Sequence, residues 1–279
     1  MTGQLELETS LTHTPLARAF DRTLAGGRTK TAIPWRSFDR TRYPAVALDL
    51  AASAHAKLAT GEYGAVPLFS RITAGLAECG APFDLIAAAA RVPSDEIRHA
   101  EQAVRMMRLL SSSHRVPPVD IQMIERRWAR KPTWRLLDRV VIESAVIGET
   151  LACGLLAACE DIAEDPTLRA GFASLVADEI HHARFGWYYL AYRTERWSKA
   201  DRQHAADRAA AMLVNLESWF AIGRDAPRGA RAAARALGLL DTATQRATLK
   251  DVVESEIVPA LDAIGLSASH AWRARRRAT

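Results

Sequence analysis

The chain has 279 residues, 49% of them hydrophobic and 25% charged, with a formal net charge of +5. That length allows one sizeable core, and the composition is that of a globular chain, not a disordered or fibrous one. No run of about 18 uninterrupted apolar residues marks a membrane span, the start MTGQLELETSLTHT lacks the apolar centre of a signal peptide, and the three cysteines form no CxxC pair. A cytoplasmic protein with reduced thiols is expected.

Residues 1–43 have no sustained periodicity and contain Gly26-Gly27 and Pro34, so they predict an irregular N-terminal segment. They also hold a basic run, Arg18, Arg22, Arg28, Lys30, Arg36, Arg40 and Arg42. Without interleaved aromatics it reads as a solvated tail, and nucleic acid is not an expected partner. A first helix is expected from about Ala45 to Cys79, stopped by Gly80-Ala81-Pro82. A second runs from Pro82 to about Leu110, with a kink expected at Pro93.

The serines and prolines of 111–132 predict a long crossover. A third helix is expected from about Thr133 to Ile162. Asp165-Pro166, an N-cap acceptor before a first-turn proline, opens a fourth that reaches about Trp197. Further helices are expected near 199–221, 227–240 and 242–264, before a basic tail at 267–279. The expected fold is all-α: a four-helix bundle over 44–197, with additional C-terminal helices over 198–266 packing on it.

Two strings echo each other: Asp95-Glu96-Ile97-Arg98-His99 and Asp178-Glu179-Ile180-His181-His182. Glu-x-x-His on a helix puts both side chains on one face. One copy is a weak signal, but two copies on the second helix of each pair are much stronger. A bundle metal site also needs a glutamate on each preceding helix at the same height.

Glu149 lies 15 residues before Glu164 and Glu179 lies 13 after Pro166, so these two are nearly level. Glu62 lies 18 before Gly80 and Glu96 lies 14 after Pro82. The offset of four residues, about 6 Å, could be absorbed by an irregular turn around Gly61, Gly64 and Pro67. Glu143, six residues before Glu149, competes with it. Its height, about 9 Å lower, favours Glu149 as ligand and Glu143 as a buried supporting carboxylate.

The candidate ligands are therefore Glu62, Glu96, His99, Glu149, Glu179 and His182. Four carboxylates and two imidazoles suit two iron ions, or manganese or a mixed pair, better than structural zinc. Four buried negative charges are intolerable without cations. Asp95 and Asp178 are placed to hold the histidine of the opposite motif, with Arg98 anchoring both. Around the ligands, Ala65, Val66, Phe69, Ala103, Met106, Ala145, Cys153, Phe172, Leu175 and Gly186 are candidates to line a dry substrate pocket. His55 is expected to be packed or exposed and not a third histidine ligand.

At Glu62, DEIRH (95–99), GET (148–150) and DEIHH (178–182), the chain resembles the ferritin-like diiron-carboxylate superfamily over about residues 45–195. The ligand arrangement is similar to that of arylamine N-oxygenases, aldehyde-deformylating oxygenases and bacterioferritins, and DEIRH to that of bacterial hydroxylase components. The resemblance implies an oxidoreductase that uses O2 as co-substrate to oxidise a small molecule by hydroxylation, N-oxygenation or similar chemistry. It also implies a separate reductase or ferredoxin as electron donor, and a monomer or homodimer. Leu175 departs from the arylamine N-oxygenases, which carry a histidine there. A ferroxidase or peroxide scavenger, a tRNA-modifying hydroxylase and a metal-free structural bundle remain alternative readings.

Overall fold

The computed structural model describes residues 4–5, 32–120, 133–220 and 225–275. Most of the N-terminal segment, crossover residues 121–132, and Arg18, Arg22, Arg28, Lys30, Arg276 and Arg277 lie outside the described residues. The described chain is all-helical apart from a two-residue antiparallel pairing of Gln4–Leu5 with Val119–Asp120. Short 3-10 turns at Trp35–Ser37 and Arg40–Arg42 precede the first long helix, α1 (Ala45–Glu78).

α1 ends where the sequence predicts, and the reason is local. Gly80 adopts φ +72°, and the Gly80 and Ala81 amides donate back to the Ala77 and Leu76 carbonyls at 3.1 and 2.9 Å. α2 (Phe83–Leu110) comes directly after, helical on both sides of Pro93, as α1 is around Pro67. No irregular turn interrupts α1 at Gly61–Pro67.

The expected third helix is a composite: α3 (Trp134–Val141), a π-helical segment Ile142–Gly148, then α4 (Glu149–Ile162). Thr133 caps its start, accepting from the Leu136 amide at 3.2 Å. α5 (Pro166–Thr194) is capped by Asp165, whose carboxylate accepts from the Thr167 and Leu168 amides at 2.9 and 3.1 Å. The long apolar helix through α3 and α4 could span a membrane by length alone, but 56% of its most apolar window is buried in the protein, as in a core helix.

α6 (Lys199–Phe220), α7 (Arg231–Ala236), α8 (Thr242–Val252), a second π segment (Val253–Ile257), α9 (Val258–Ala263) and α10 (Ala268–Arg273) complete the chain. The expected helix at 227–240 is instead a 3-10 turn plus the short α7. The expected tail is helical at Ala268–Arg273, because Ala271 and Trp272 bury their side chains and Trp272 Nε1 donates to Glu254 at 3.0 Å.

α1 packs along α2, α4 along α5, and α2 against α5, while α1 and α4 do not pack closely together. The buried apolar side chains fall into two clusters. One holds Phe69, Leu76, Val92, Val146, Phe185 and Tyr189, and the other Ala59, Met106, Leu168, Phe172 and Leu175. On α1, α2, α5 and the composite of α3 and α4, the two clusters occupy opposite ends. The stretch between them carries Glu62 on α1, Glu96 and His99 on α2, and Glu179 and His182 on α5.

A buried polar anchor fixes the helices at the end held by the first of these clusters. Asp138 on α3 accepts from Tyr189 Oη at 2.6 Å, Arg193 Nε and Nη2 at 2.8 and 3.0 Å, and Trp197 Nε1 at 2.9 Å. Arg193 is 4% exposed and Asp138 fully buried, so the two charges satisfy one another away from water.

Candidate metal centre

Glu96, His99, Glu179 and His182 each present a ligand atom within 4.8 Å of the others, all buried, so this cluster can hold a metal ion. His99 Nδ1 lies 2.9 Å from Glu179 Oε1 and 3.7 Å from both Glu62 Oε2 and Glu96 Oε2. His182 Nδ1 lies 3.0 Å from Glu179 Oε2 and 3.3 Å from Glu96 Oε1. Despite its short contact, His99 Nδ1 makes no aligned hydrogen bond, and neither does Glu96 Oε2. The two atoms face a space shared with Glu62 and Glu179, an arrangement that a cation could occupy.

The far nitrogens face carboxylates of the opposite motif, through a hydrogen bond at His182 and a longer contact at His99. His182 Nε2 is 3.4 Å from Asp95 Oδ2, and His99 Nε2 is 3.5 Å from Asp178 Oδ2. Arg98 joins the two aspartates, at 2.6 Å from Asp95 and 2.5 Å from Asp178, while Arg91 adds a contact to Asp95 from the half-exposed side. Each imidazole thus turns Nδ1 toward the glutamates and Nε2 toward an aspartate, which fixes its ring orientation.

Glu62 and Glu149 close the group. Glu62 reaches His99 from an unbroken α1, so its four-residue offset is spanned without a helix break. Glu149 comes directly after the π segment and interacts with Glu179 and Glu96. These are the two members not fully buried; the Glu62 side chain is 11% exposed against 1–2% for the other four. They stand on α1 and α4, which do not pack closely on each other.

The charge state of the group fits a cation. Burial pushes Glu62 and Glu149 well above the ordinary carboxylate range, reinforced by the neighbouring glutamates. Burial opposes ionisation of Glu179 and Glu96 too, but His99 and His182 outweigh it and hold both low. Burial likewise disfavours the charged imidazoles, yet the surrounding carboxylates push His99 and His182 well above the ordinary histidine range. Four buried carboxylates therefore share a few protons, and divalent cations would take their place.

The other candidate positions are placed differently. Glu143 accepts from Arg208 Nε at 2.9 Å, has a second short contact with Arg208 Nη2, and lies 3.4 Å from Arg139; it ties α6 to the π segment. Its partner is 65 residues away, beyond the reach of any sequence pattern. Of the pocket candidates, Phe69 and Ala145, with Ala65 packed beside them, belong to one apolar cluster; Ala103, Met106, Phe172 and Leu175 belong to the other. Val66 and Cys153 are half-buried, and burial beside Glu179 and Glu149 pushes the Cys153 thiol far up, away from reactivity. Gly186 lies against backbone, with Ala145 carbonyl carbon 2.6 Å from where a Cβ would sit, so it closes a helix contact. His55, expected to be packed or exposed, is buried and stacks on Phe172.

Compared with models of known protein families, with characterised proteins and with solved structures, the chain shows no match.

Proposed function

We propose that α1, α2, α4 and α5 form a ferritin-like four-helix bundle around a dinuclear iron centre, and that the protein is an oxidase or oxygenase of small organic molecules. The observation that carries this reading is the buried cluster of Glu96, His99, Glu179 and His182 between two apolar clusters, with Glu62 3.7 Å from His99 and Glu149 interacting with Glu179. Carboxylate-rich sites with two imidazoles suit redox-active iron or manganese and not structural zinc.

When bound, two irons would supply the electrons and the open coordination positions that dioxygen reduction needs. The chain's own groups do the rest. Glu62, Glu96, His99, Glu149, Glu179 and His182 hold the metals, and Asp95, Asp178 and Arg98 keep the imidazoles turned inward. The apolar clusters exclude water from both ends of the layer, which protects reactive species from side reactions. Glu62 and Glu149, the two partly exposed members, are the ligands placed to meet an incoming molecule. Turnover requires an external reductant, for which a reductase or ferredoxin is the proposed partner.

The test is metal analysis of the purified protein combined with absorption spectroscopy after anaerobic reduction and exposure to oxygen. About two irons per chain and an oxygen-dependent absorption change are expected. Glu179→Ala, which removes a carboxylate contacting both histidines, should cut the iron content to less than about half. A correctly folded protein that refuses iron would end the proposal.

A further inference from the structure

One side chain in the apolar cluster beyond the metal layer is out of keeping with its neighbours. His55 is 3% exposed, its ring lies 5.5 Å from that of Phe172, and its Nδ1 has no hydrogen-bond partner among the described residues. Burial holds its pKa down at about 4, so the ring is neutral. A buried polar nitrogen left unsatisfied is costly, and such positions normally mark a bound water or a ligand contact.

Its level in the fold says which ligand it can meet. His55 lies seven residues before Glu62, Phe172 seven before Glu179, Met106 seven after His99, and Leu156 seven after Glu149. Seven residues are two turns on the same helix face, about 10 Å along the axis. His55 therefore shares a level with Met106, Leu156 and Phe172, about two turns from the metal ligands. The level between holds Ala59, Ala103, Cys153 and Leu175, and three of these four side chains are small. At the other end, Phe69 packs on His182 and Phe185, and Gly186 on Ala145, closing that side.

From this placement we infer that His55 is the substrate-anchoring residue of the site. Its ligand is a small molecule with a flat apolar body, about one ring long, that ends in an uncharged hydroxyl or amine. That group pairs with His55 Nδ1, the body lies over Phe172 and the small-residue level, and the opposite end faces Glu62 and Glu149. An uncharged end group fits best, because the described residues at this level, Met106, Leu156 and Phe172, offer the neutral imidazole no countercharge. The term substrate rests on the oxidase reading above, whereas the binding contact does not.

The experiment uses the full chain after iron reconstitution and measures calorimetric binding of 4-methylphenol, 1,4-dimethylbenzene and 4-methylbenzoate, which share one shape. Wild-type protein is expected to prefer 4-methylphenol over 1,4-dimethylbenzene by at least about tenfold, because a site built around a hydrogen bond rejects the analogue that lacks it. His55→Phe should abolish the preference, and His55→Asn, with an amide near the Nδ1 position, should restore part of it. In unaltered protein, the nitrogen-15 shift of His55 Nδ1 should move with 4-methylphenol and not with 1,4-dimethylbenzene, a readout that needs no variant to fold. Equal affinities, tightest binding by the benzoate, no binding of any of the three, or undiminished discrimination in His55→Phe would each overturn the inference. Iron content of the same samples separates the two claims. Discrimination through His55 without bound iron keeps the anchor and removes the oxidase reading, and two irons without His55 dependence does the reverse.

Discussion

Each imidazole of the cluster divides its work between two nitrogens, and Arg98 makes that division possible. Its guanidinium, 8% exposed, neutralises Asp95 and Asp178 together, and these aspartates face His182 and His99. Arg98→Met leaves two buried carboxylates uncompensated. The expected loss is about 3–5 kcal/mol, read by chemical denaturation, with iron affinity about 10–100-fold weaker in chelator competition. His55 gives a separate, pH-dependent signature. Its folded pKa of about 4 lies below the ordinary 6.5, so the unfolded chain binds the extra proton first. Stability from this group is full above pH 6.5 and falls as pH drops toward 4, by roughly 3 kcal/mol in total at about 1.4 kcal/mol per unit. From pH 6.5 down to 4, wild type should lose about this much stability relative to His55→Phe. A flat difference would mean the imidazole is solvated.

Among the elements, the composite helix of α3, the π segment and α4 decides most about the site. An α-helix through 134–162 would advance every side chain by the same angle, whereas a π-helical stretch inserts extra residues per turn and re-aims the side chains beyond it. Glu149 is the first residue after that stretch and joins the cluster, while Glu143 lies within it and pairs with Arg208. Gly186 on α5 lets the π segment come close, since a Cβ there would sit 2.6 Å from the Ala145 carbonyl carbon. Gly186→Ala should cost about 1–3 kcal/mol through overpacking of backbone on backbone, seen as a lower melting temperature. It should also weaken iron binding, because the shift would move Glu149. Helix ends obey simpler rules. The Asp165 cap and the Gly80 stop were legible because they depend on residues within a turn of each other, and so was the Glu-x-x-His spacing.

For the molecule as a whole, the layer of acids is a cost that bound cations would relieve. Without metal, Glu62 and Glu149 are driven toward their neutral forms and the imidazoles toward their charged ones. If ferrous iron binds the folded chain and not the unfolded one, as proposed, stability should rise by about 2.7 kcal/mol at a hundredfold excess over the dissociation constant. Calorimetric melting with iron, and again after chelation, checks this. An unchanged melting temperature with iron bound would mean that the protons balance the site as well as the metals do.

The sequence by itself determined the all-helical class, the main helix boundaries and the pairing of two Glu-x-x-His motifs, because caps, stops and i,i+3 neighbours are set within one or two turns of chain. It also carried Asp95, Arg98 and Asp178 as part of those same strings. Only the tertiary structure decided that α1 stays unbroken while Glu62 still reaches His99, that Glu143 belongs to Arg208, and that residues 268–273 fold back on the core. It also decided that most of the pocket candidates divide between two clusters and that His55 is buried without a partner for Nδ1 among the described residues. These outcomes depend on groups far apart in sequence competing for the same buried space, and local spacing carries no record of which of them wins.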